Sequence, residues 1–166
     1  MTRREWIGMG SVGAIAAVLA VKFVPWSASF EPPPGNFPVK HTDEEWRKLL
    51  SPASYEVLRQ GATERPYTSP LLEEHRKGVF SCAGCQTPLF RSETKYDSRT
   101  GWPSFWDVLP DAVLERDDYG LGMVRTEILC QTCGGHLGHV FDDGPKPTGL
   151  RYCMNGLALS FKAETA

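Results

Sequence analysis

Short apolar runs separated by turn-forming residues dominate the chain after residue 77. Glycines and prolines cluster between these runs, a pattern typical of short strands and turns rather than of a helical bundle. The last run alternates apolar and polar residues, as a half-buried strand does. We therefore predict six strands, which are "GVFSC", "TPLFRS", "RTEILC", "HVFDD", "RYCMN" and "LALSFK".

Two short helices are predicted ahead of the strands, and the first begins near residue 42. Thr42 or Asp43 can act as its N-cap, and Glu45 is placed to complete a capping box with Thr42. Three large apolar residues then follow at the spacing of one helical face. They are Trp46, Leu49 and Leu50.

The stretch "SPASYEVLRQG" predicts the second helix, because it carries signals for both ends. Ser51 can cap the helix, Pro52 suits its first turn, and Gly61 can end it. We expect both helices to pack against a sheet at the edge of the fold.

The first thirty residues have the features of an export signal. Arg3 and Arg4 form a charged start, residues 7–21 carry no charge, and small residues follow at 27–29. The twin arginines favour the twin-arginine export route and a periplasmic location.

A membrane anchor is the alternative role for the same segment. The apolar stretch at 7–21 is shorter than the roughly 20 residues that span a bilayer. Continuing through Lys22 to Trp26 lengthens it, so residues 7–26 could also anchor the protein to the inner membrane. The sequence leaves open whether the segment is cleaved.

A proline-rich linker separates this segment from the rest of the chain. Residues 31–41, "EPPPGNFPVKH", contain three consecutive prolines, which favour extended polyproline geometry and form no core. We therefore predict a signal or anchor at 1–30, a linker at 31–41 and one folded domain at 42–166.

The charge balance excludes one class of partner. The net charge is -2 at pH 7, whereas a surface that binds nucleic acid usually needs a clear excess of Lys and Arg. Nucleic acid is therefore not expected as a partner, and we expect the protein to be a monomer.

Four of the five cysteines form two CxxC pairs. "CAGC" contains Cys82 and Cys85, and "CQTC" contains Cys130 and Cys133. Each CxxC turn can aim two thiolates at one point, and two such turns complete a closed tetrahedral zinc site. We predict one structural zinc ion per chain, bound by all four sulfurs.

Two alternatives to zinc remain for these cysteines. A redox CxxC is usually part of a βαβ unit, which the pattern of this chain does not predict. Two disulfides would suit an exported protein. Zinc is favoured because the spacing matches a four-thiolate site, and the twin-arginine route would carry the folded, loaded domain.

Cys153 is the unpaired cysteine and the candidate nucleophile. Arg151 and Asn155 lie two residues to either side, so a strand would place all three side chains on one face. A guanidinium nearby stabilises a thiolate over a thiol, and the Asn155 amide could bind a polar group of a substrate. The alternative is a small buried hydrophobic residue without chemistry.

Candidate acid–base residues precede Cys153 in "GGHLGHVFDDGPKPTGL". His139 begins a predicted strand beside a loop of acids, which suits proton transfer. His136 could assist, or could be a packed histidine or one beside the zinc site. Asp142 and Asp143 could serve as turn residues, since "DDGPKP" is a strong turn signal.

Aromatic residues cluster in "KYDSRTGWPSFW". Trp102, Phe105 and Trp106 lie around a glycine and a proline. Such residues can belong to the core or line an apolar pocket for a methyl or thioether group. We expect Trp102, together with Phe105, to contact a substrate.

Taken together, these segments resemble the methionine-R-sulfoxide reductase family of the B type. The resemblance spans residues 42–162 and is most specific in "GHVFDDGPKPTGLRYC". It implies a mainly β fold with two antiparallel sheets and short peripheral N-terminal helices. It also implies reduction of the R epimer of methionine sulfoxide, mainly in oxidised proteins.

The resemblance also implies roles for single residues. Cys153 matches the catalytic cysteine and Trp102 the tryptophan that contacts the substrate methyl group. Met154 stands where isoleucine is common, a mild departure. The other matching active-site positions are His136, His139, Asp143, Arg151 and Asn155.

Thr100 is a more important departure from the family pattern. Many members carry a recycling cysteine at this position, two residues before the tryptophan. We therefore expect Cys153 to become a sulfenic acid that an external thiol reduces. A thioredoxin-like protein or a small thiol is the expected donor.

Two other functional classes compete with a reductase. A zinc-ribbon binding module would not need Cys153. A cysteine acyl transferase or peptidase would use a Cys/His/Asn set and leave sulfoxides untouched.

Overall fold

Nine strands form two antiparallel sheets in the computed structural model, which describes residues 36–122 and 124–165. The strands are β1 (Gly78–Cys82), β2 (Pro88–Arg91), β3 (Lys95–Tyr96), β4 (Ser104–Phe105), β5 (Val113–Asp118), β6 (Arg125–Cys130), β7 (His136–Phe141), β8 (Arg151–Met154) and β9 (Leu159–Ala163). The smaller sheet has the order β2-β1-β9, and the larger has the order β3-β4-β8-β7-β6-β5. The predicted mainly β class with two antiparallel sheets is confirmed.

The strand predictions hold best where apolar runs are long. β1 and β6 have the predicted bounds, whereas β7 begins at His136 rather than at His139. The run "LALSFK" divides into a 3₁₀ turn (Gly156–Ala158) followed by β9. β3, β4 and β5 were not predicted, since two of them have only two residues and β5 is rich in charge.

The first helix, α1 (Asp43–Leu49), starts with the predicted capping box. The Thr42 backbone N–H donates to Glu45 Oε2 over 2.7 Å, and the Glu45 N–H donates to Thr42 Oγ1 over 3.3 Å. Trp46 and Leu50 are buried, but Leu49 is 59% exposed. The prediction for Leu49 is wrong, because the short helix buries only one narrow stripe.

The second helix, α2 (Pro52–Gln60), also has the predicted ends. Ser51 accepts a hydrogen bond from the Ser54 backbone N–H over 3.1 Å. Gly61 ends the helix with φ of 67°, a left-handed conformation that glycine adopts without steric cost. α2 packs against β7 through Leu58, which is 1% exposed.

An aromatic core joins the two sheets. Phe90 of the smaller sheet stacks on Phe105 of the larger one, with ring centroids 4.3 Å apart. Phe80 meets Phe105 edge-on at 5.0 Å, and Tyr152 lies 5.8 Å from Phe90. Burying several large rings together supplies a substantial part of the hydrophobic stabilisation. This core fixes β4 and β8 from behind.

Among the residues that the structure describes, no helix is long and apolar enough to cross a membrane. The predicted export signal or anchor at residues 1–30 lies outside those residues, as does the first part of the predicted linker.

Candidate active site

Cys153 lies on β8, in the middle of the larger sheet. It pairs with Ser104 on β4 and with His139 on β7. Residues that face each other across antiparallel strands project from the same side of the sheet. Cys153 is partly exposed, whereas its neighbours Tyr152 and Met154 are buried. The strand therefore turns the thiol away from the core, which argues against a purely structural role.

Arg151 lies on the same face of β8, and two nitrogens of its guanidinium donate to the Asp143 carboxylate. The Nε–Oδ1 and Nη2–Oδ2 distances are 2.7 and 2.9 Å. The pKa of Arg151 is raised, mainly by this hydrogen bond and further by the nearby negative charge of a Cys153 thiolate. The pKa of Asp143 is lowered by the same hydrogen bond. Arg151 thus lies within electrostatic reach of Cys153, with its direction set by Asp143.

The Arg151 guanidinium also stacks over Phe141, with its carbon 4.3 Å from the ring centroid. This contact and the Asp143 pair leave the guanidinium little freedom to turn. Asp143 is therefore more than a turn residue, because it anchors the cation beside the candidate nucleophile.

His139 faces Cys153 across the β7–β8 pair and has its own carboxylate partner. Its Nε2 lies 2.8 Å from Asp118 Oδ2. The pKa of His139 is lowered, chiefly because burial disfavours the cation, and Asp118 only partly offsets this. An ionised Asp118 can only accept, so Nε2 carries a proton and the neutral ring has its acceptor at Nδ1.

Asp118 is held ionised by three donors. Burial alone would raise its pKa, but the Gly120 backbone N–H, His139 and Arg125 together lower it to about 2. The Gly120 N–H and the Arg125 Nη2 lie 2.8 and 2.5 Å from its oxygens. Asp118 therefore orients the His139 ring across the neutral pH range.

His136 is buried, with 3% of its surface exposed. Its Nδ1 lies 2.6 Å from Glu127 Oε1, and Arg116 binds the other oxygen of Glu127 over 2.8 Å. Burial raises the pKa of Glu127, but His136 and Arg116 outweigh it and lower the pKa overall. The His136 ring centroid lies 5.6 Å from that of His139. His136 thus packs behind His139 as a carboxylate-oriented histidine.

The sequence predicted that Asn155 presents its amide on the half-exposed face of β8, but the structure places this amide elsewhere. β8 ends at Met154, and Asn155 is 4% exposed. Its Oδ1 accepts from the Glu64 backbone N–H over 2.8 Å, and its Nδ2 donates to the Leu137 carbonyl over 3.1 Å. The prediction is corrected: Asn155 ties buried backbone segments together beneath the site.

Trp102 is partly exposed and held in place by the same region. Its indole N–H donates to the Glu64 carbonyl over 2.9 Å. The ring borders a groove of 560 Å³ between residues 67–75 and 92–103. A groove of this size can hold a side chain and part of its peptide. Cys153 is not among the described residues that line this groove, so the contact of Trp102 with a substrate stays a prediction.

Phe105 is not part of this groove, and the prediction that it contacts a substrate is wrong. It is 0% exposed and lies within the aromatic core. The reason is strand alternation: Ser104 pairs with Cys153 and shares its face, so Phe105 must project to the opposite side. Trp106 is partly buried and is not among the groove residues.

The four paired cysteines come together where β1 and β6 end. Their sulfurs all lie within 4.8 Å of one another, with Cys82–Cys133 at 3.7 Å and Cys85–Cys130 at 3.5 Å. A disulfide needs about 2.0 Å, whereas a tetrahedron with Zn–S bonds of 2.3 Å has edges of about 3.8 Å. The cluster therefore fits a single four-coordinate metal ion.

The cluster also joins the two sheets. Cys82 ends β1 of the smaller sheet, and Cys130 ends β6 of the larger one. Leu58 of α2 packs against the second turn, where a Cβ on Gly135 would lie 3.0 Å from its Cδ2. A bound metal would thus fix both sheets and the helical layer at one point.

Sequence reasoning missed three carboxylates that support the site, Glu64, Asp118 and Glu127. Glu127 carried the clearest signal, because it interrupts the apolar strand "RTEILC" and a buried charge requires a partner. Asp118 is hidden in the charged run "ERDD", and Glu64 lies in a loop. Neither of these two has a local pattern that reveals its histidine or amide partner.

Comparison with known proteins places the chain among similar sequences over most of its length. The sequence model of the SelR domain matches residues 50–163. A protein of Leptospira interrogans is 52% identical over 130 residues, which cover 78% of this chain and 99% of the relative. Proteins of Agrobacterium fabrum and Methanosarcina barkeri are 54% and 52% identical, covering 75% and 76% of this chain and 93% and 89% of the relatives. All three bear the name peptide methionine sulfoxide reductase MsrB.

Proposed function

Because this chain belongs to the family of the peptide methionine sulfoxide reductases MsrB, we propose that it reduces the R epimer of methionine sulfoxide in oxidised proteins. The observation that carries the proposal is the position of Cys153. The thiol is partly exposed on the sheet, faces His139 and lies within reach of the Arg151 charge. A reductase needs an accessible nucleophile beside a proton donor and a cation.

In the first step, the Cys153 thiolate attacks the sulfur of the sulfoxide. This attack forms an S–S bond while the oxygen takes up two protons and leaves as water. A water molecule then attacks the Cys153 sulfur, which breaks the S–S bond, releases methionine and returns one proton. The substrate sulfur gains two electrons and the Cys153 sulfur loses two, which makes a sulfenic acid. Arg151 supports the thiolate, and Asp143 keeps the guanidinium in place.

In its protonated form, His139 supplies a proton that the departing oxygen requires, and it does so from Nδ1 because its Nε2–H is bound to Asp118. Oxide is a poor leaving group, so proton transfer during S–O cleavage lowers the barrier. His139 faces Cys153, and Asp118 fixes the orientation of its ring. His136 acts from behind by packing against His139 and holding the Asn155 amide, whose Nδ2 lies 3.4 Å from His136 Nε2.

Trp102 binds the methyl group of the sulfoxide. Its ring borders the groove and cannot turn freely, because the indole N–H is bound to the Glu64 carbonyl. A ring fixed in one orientation can distinguish the methyl group from the oxygen on the pyramidal sulfur. This selection of one arrangement around sulfur supports specificity for one epimer, and membership of the MsrB family favours the R epimer.

An external thiol regenerates the enzyme. Thr100, not a cysteine, lies 3.7 Å from the Cys153 sulfur, and the other four cysteines are clustered together. A donor thiol attacks the sulfenic acid, releasing water and forming a mixed disulfide. A second thiol then releases Cys153 and leaves the donor as a disulfide. Thioredoxin-like proteins and small thiols have this chemistry.

The four-thiolate cluster would bind zinc, one ion per chain, with a structural role. Four sulfurs leave no open position for a substrate, and thiolates favour zinc. Cys82, Cys85, Cys130 and Cys133 would hold the ion. Zinc supplies folding energy there rather than chemistry at Cys153.

The protein acts as a monomer in the periplasm, reached by the twin-arginine route. Arg3, Arg4 and the uncharged stretch that follows support this localisation, with residues 7–26 either cleaved or retained as an anchor. Fractionation of cells that produce the full chain tests it. Replacing Arg3 and Arg4 with lysine should leave the protein in the cytoplasm.

The proposed function is tested by turnover of the two separate epimers. We expect the full chain with dithiothreitol to convert dabsyl-methionine R-sulfoxide and to leave the S epimer unchanged. Conversion of both epimers at equal rates would overturn the specificity. No conversion of either, by a folded and metal-loaded protein, would overturn the activity.

A further inference from the structure

A chain of hydroxyl groups leads from Cys153 into the interior of the protein. Thr100 Oγ1 lies 3.7 Å from Cys153 Sγ and 2.8 Å from Ser98 Oγ. Ser98 Oγ lies 2.6 Å from Ser104 Oγ, and Ser104 Oγ lies 3.1 Å from the Trp102 carbonyl oxygen. The chain thus ends at a backbone acceptor.

Two directions of the hydrogens satisfy every contact along this chain of hydroxyl groups. Each hydroxyl carries one hydrogen, and Ser104 is 0% exposed, so its hydrogen must go to Ser98 or to the Trp102 carbonyl. With a Cys153 thiol, every hydrogen points inward and the last one reaches the carbonyl. With a thiolate, every hydroxyl can turn, and Thr100 donates to the sulfur.

We propose that Thr100 is a positioning residue whose hydroxyl donates to the Cys153 thiolate, oriented by Ser98 and Ser104 behind it. The inference rests on the proposed function, since it concerns the nucleophile of that reaction. A donor at this distance stabilises the charged sulfur and holds it in one rotamer for attack.

Charged and titratable groups face Cys153 from the strands around it. Those of its own strand and the adjoining loop are Arg151 and Asp143, which pair with each other. β7 contributes His139 with its partner Asp118, and β3 contributes Tyr96, whose pKa is raised by burial. None of these groups binds Thr100 Oγ1 in the described hydrogen bonds. Their effects therefore remain constant when only the threonine hydroxyl is changed.

The test is the pH profile of Cys153 alkylation in the wild type and four variants of the full, metal-loaded chain. Iodoacetamide is the probe, and peptide mass mapping isolates Cys153 from the four clustered cysteines. Thr100→Val removes the hydroxyl at nearly constant shape, and Thr100→Ser keeps it. Thr68→Val is the matched control, because the exposed Thr68 hydroxyl binds only the Arg65 carbonyl.

Thr100→Val should move the midpoint of the profile up by about one pH unit, the expected effect of losing one hydrogen bond to a charged group. Thr100→Ser and Thr68→Val should retain the wild-type midpoint. Ser98→Ala should give a smaller shift in the same direction, because Thr100 loses the neighbour that orients it. This variant carries the test if Thr100→Val does not fold.

Unshifted profiles for Thr100→Val and Ser98→Ala would overturn the inference. Its failure differs from that of the proposed function, because alkylation needs no sulfoxide. If the wild-type protein reduces the R epimer and the variants show no shift, only the inference about Thr100 is wrong. If the Thr100→Val profile shifts but the protein reduces neither epimer, only the proposed reductase activity is wrong.

Discussion

The cysteines of this protein occupy two regions that differ in burial, neighbours and backbone position. Cys82, Cys130 and Cys133 are at most 4% exposed, Cys85 is partly exposed, and the sulfurs of all four lie within 4.8 Å of one another. Cys153 is partly exposed and lies mid-sheet, where the hydroxyl of Thr100 lies 3.7 Å from its sulfur.

This difference assigns a stabilising role to the four clustered cysteines and a chemical role to Cys153. Sulfurs at strand ends can converge from two sheets, so they suit a metal that joins those sheets. A sulfur at a central strand position has fixed neighbours on both sides, so it suits a reaction that needs a preset donor and cation. Cysteine sulfur therefore serves two purposes in this protein, because the backbone places it differently in the two regions.

The largest expected effect comes from exchanging one cysteine in each region for serine. Cys85→Ser should lose the metal and the folded state, since structural zinc contributes about 10 kcal/mol or more to folding in small domains. Cys153→Ser should keep one zinc per chain and its melting temperature, yet lose all turnover. Metal analysis, calorimetry and the epimer assay check this together.

The contrast between the regions would fail if Cys85→Ser melted like the wild-type protein. It would fail equally if Cys153→Ser released zinc. In either case the five cysteines could not be divided into a structural set and a catalytic residue.

The next effect concerns the proton donor beside Cys153. His139→Gln should lower kcat by about 10²-fold or more, the usual contribution of general acid catalysis. The pKa of His139 is lowered by burial, so its cation is lost as pH rises through a value below the ordinary 6.5. Wild-type kcat should therefore have a falling limb in this range, and His139→Gln should lack it.

The matched control is His41→Gln, because His41 is exposed, precedes α1 and is not among the residues that line the groove beside Trp102. Its kcat and pH profile should follow the wild type. A falling limb that persists in His139→Gln would assign the proton to another group.

The smallest effect on the active region is the shift of about one pH unit expected in the Cys153 alkylation profile of Thr100→Val.

Local patterns in the sequence predict much of this structure. The capping box at Thr42, the end of α2 at Gly61 and the bounds of β1 all depend on neighbouring residues. The cysteine cluster was predictable for a related reason, since each CxxC fixes half of it locally. Arg151 and Cys153 share a face because strand alternation operates over two residues.

Features that depend on strand pairing could not be predicted in this way. Phe105 was misplaced because only the pairing of Ser104 with Cys153 decides which face it takes. Asn155 was misplaced because the strand ends one residue earlier. Asp118 lies 21 residues before His139, so only the β5–β6–β7 arrangement brings them together.

The most direct test of the account is mass spectrometry after one turnover without reductant. The full, metal-loaded chain is mixed with one equivalent of R-methionine sulfoxide and digested after dimedone trapping. We predict that each protein molecule forms one molecule of methionine from the sulfoxide. We also predict a dimedone adduct on Cys153 alone and zinc retained at the four-cysteine cluster. A disulfide between Cys153 and any clustered cysteine, with zinc released, would contradict the separation of the two regions.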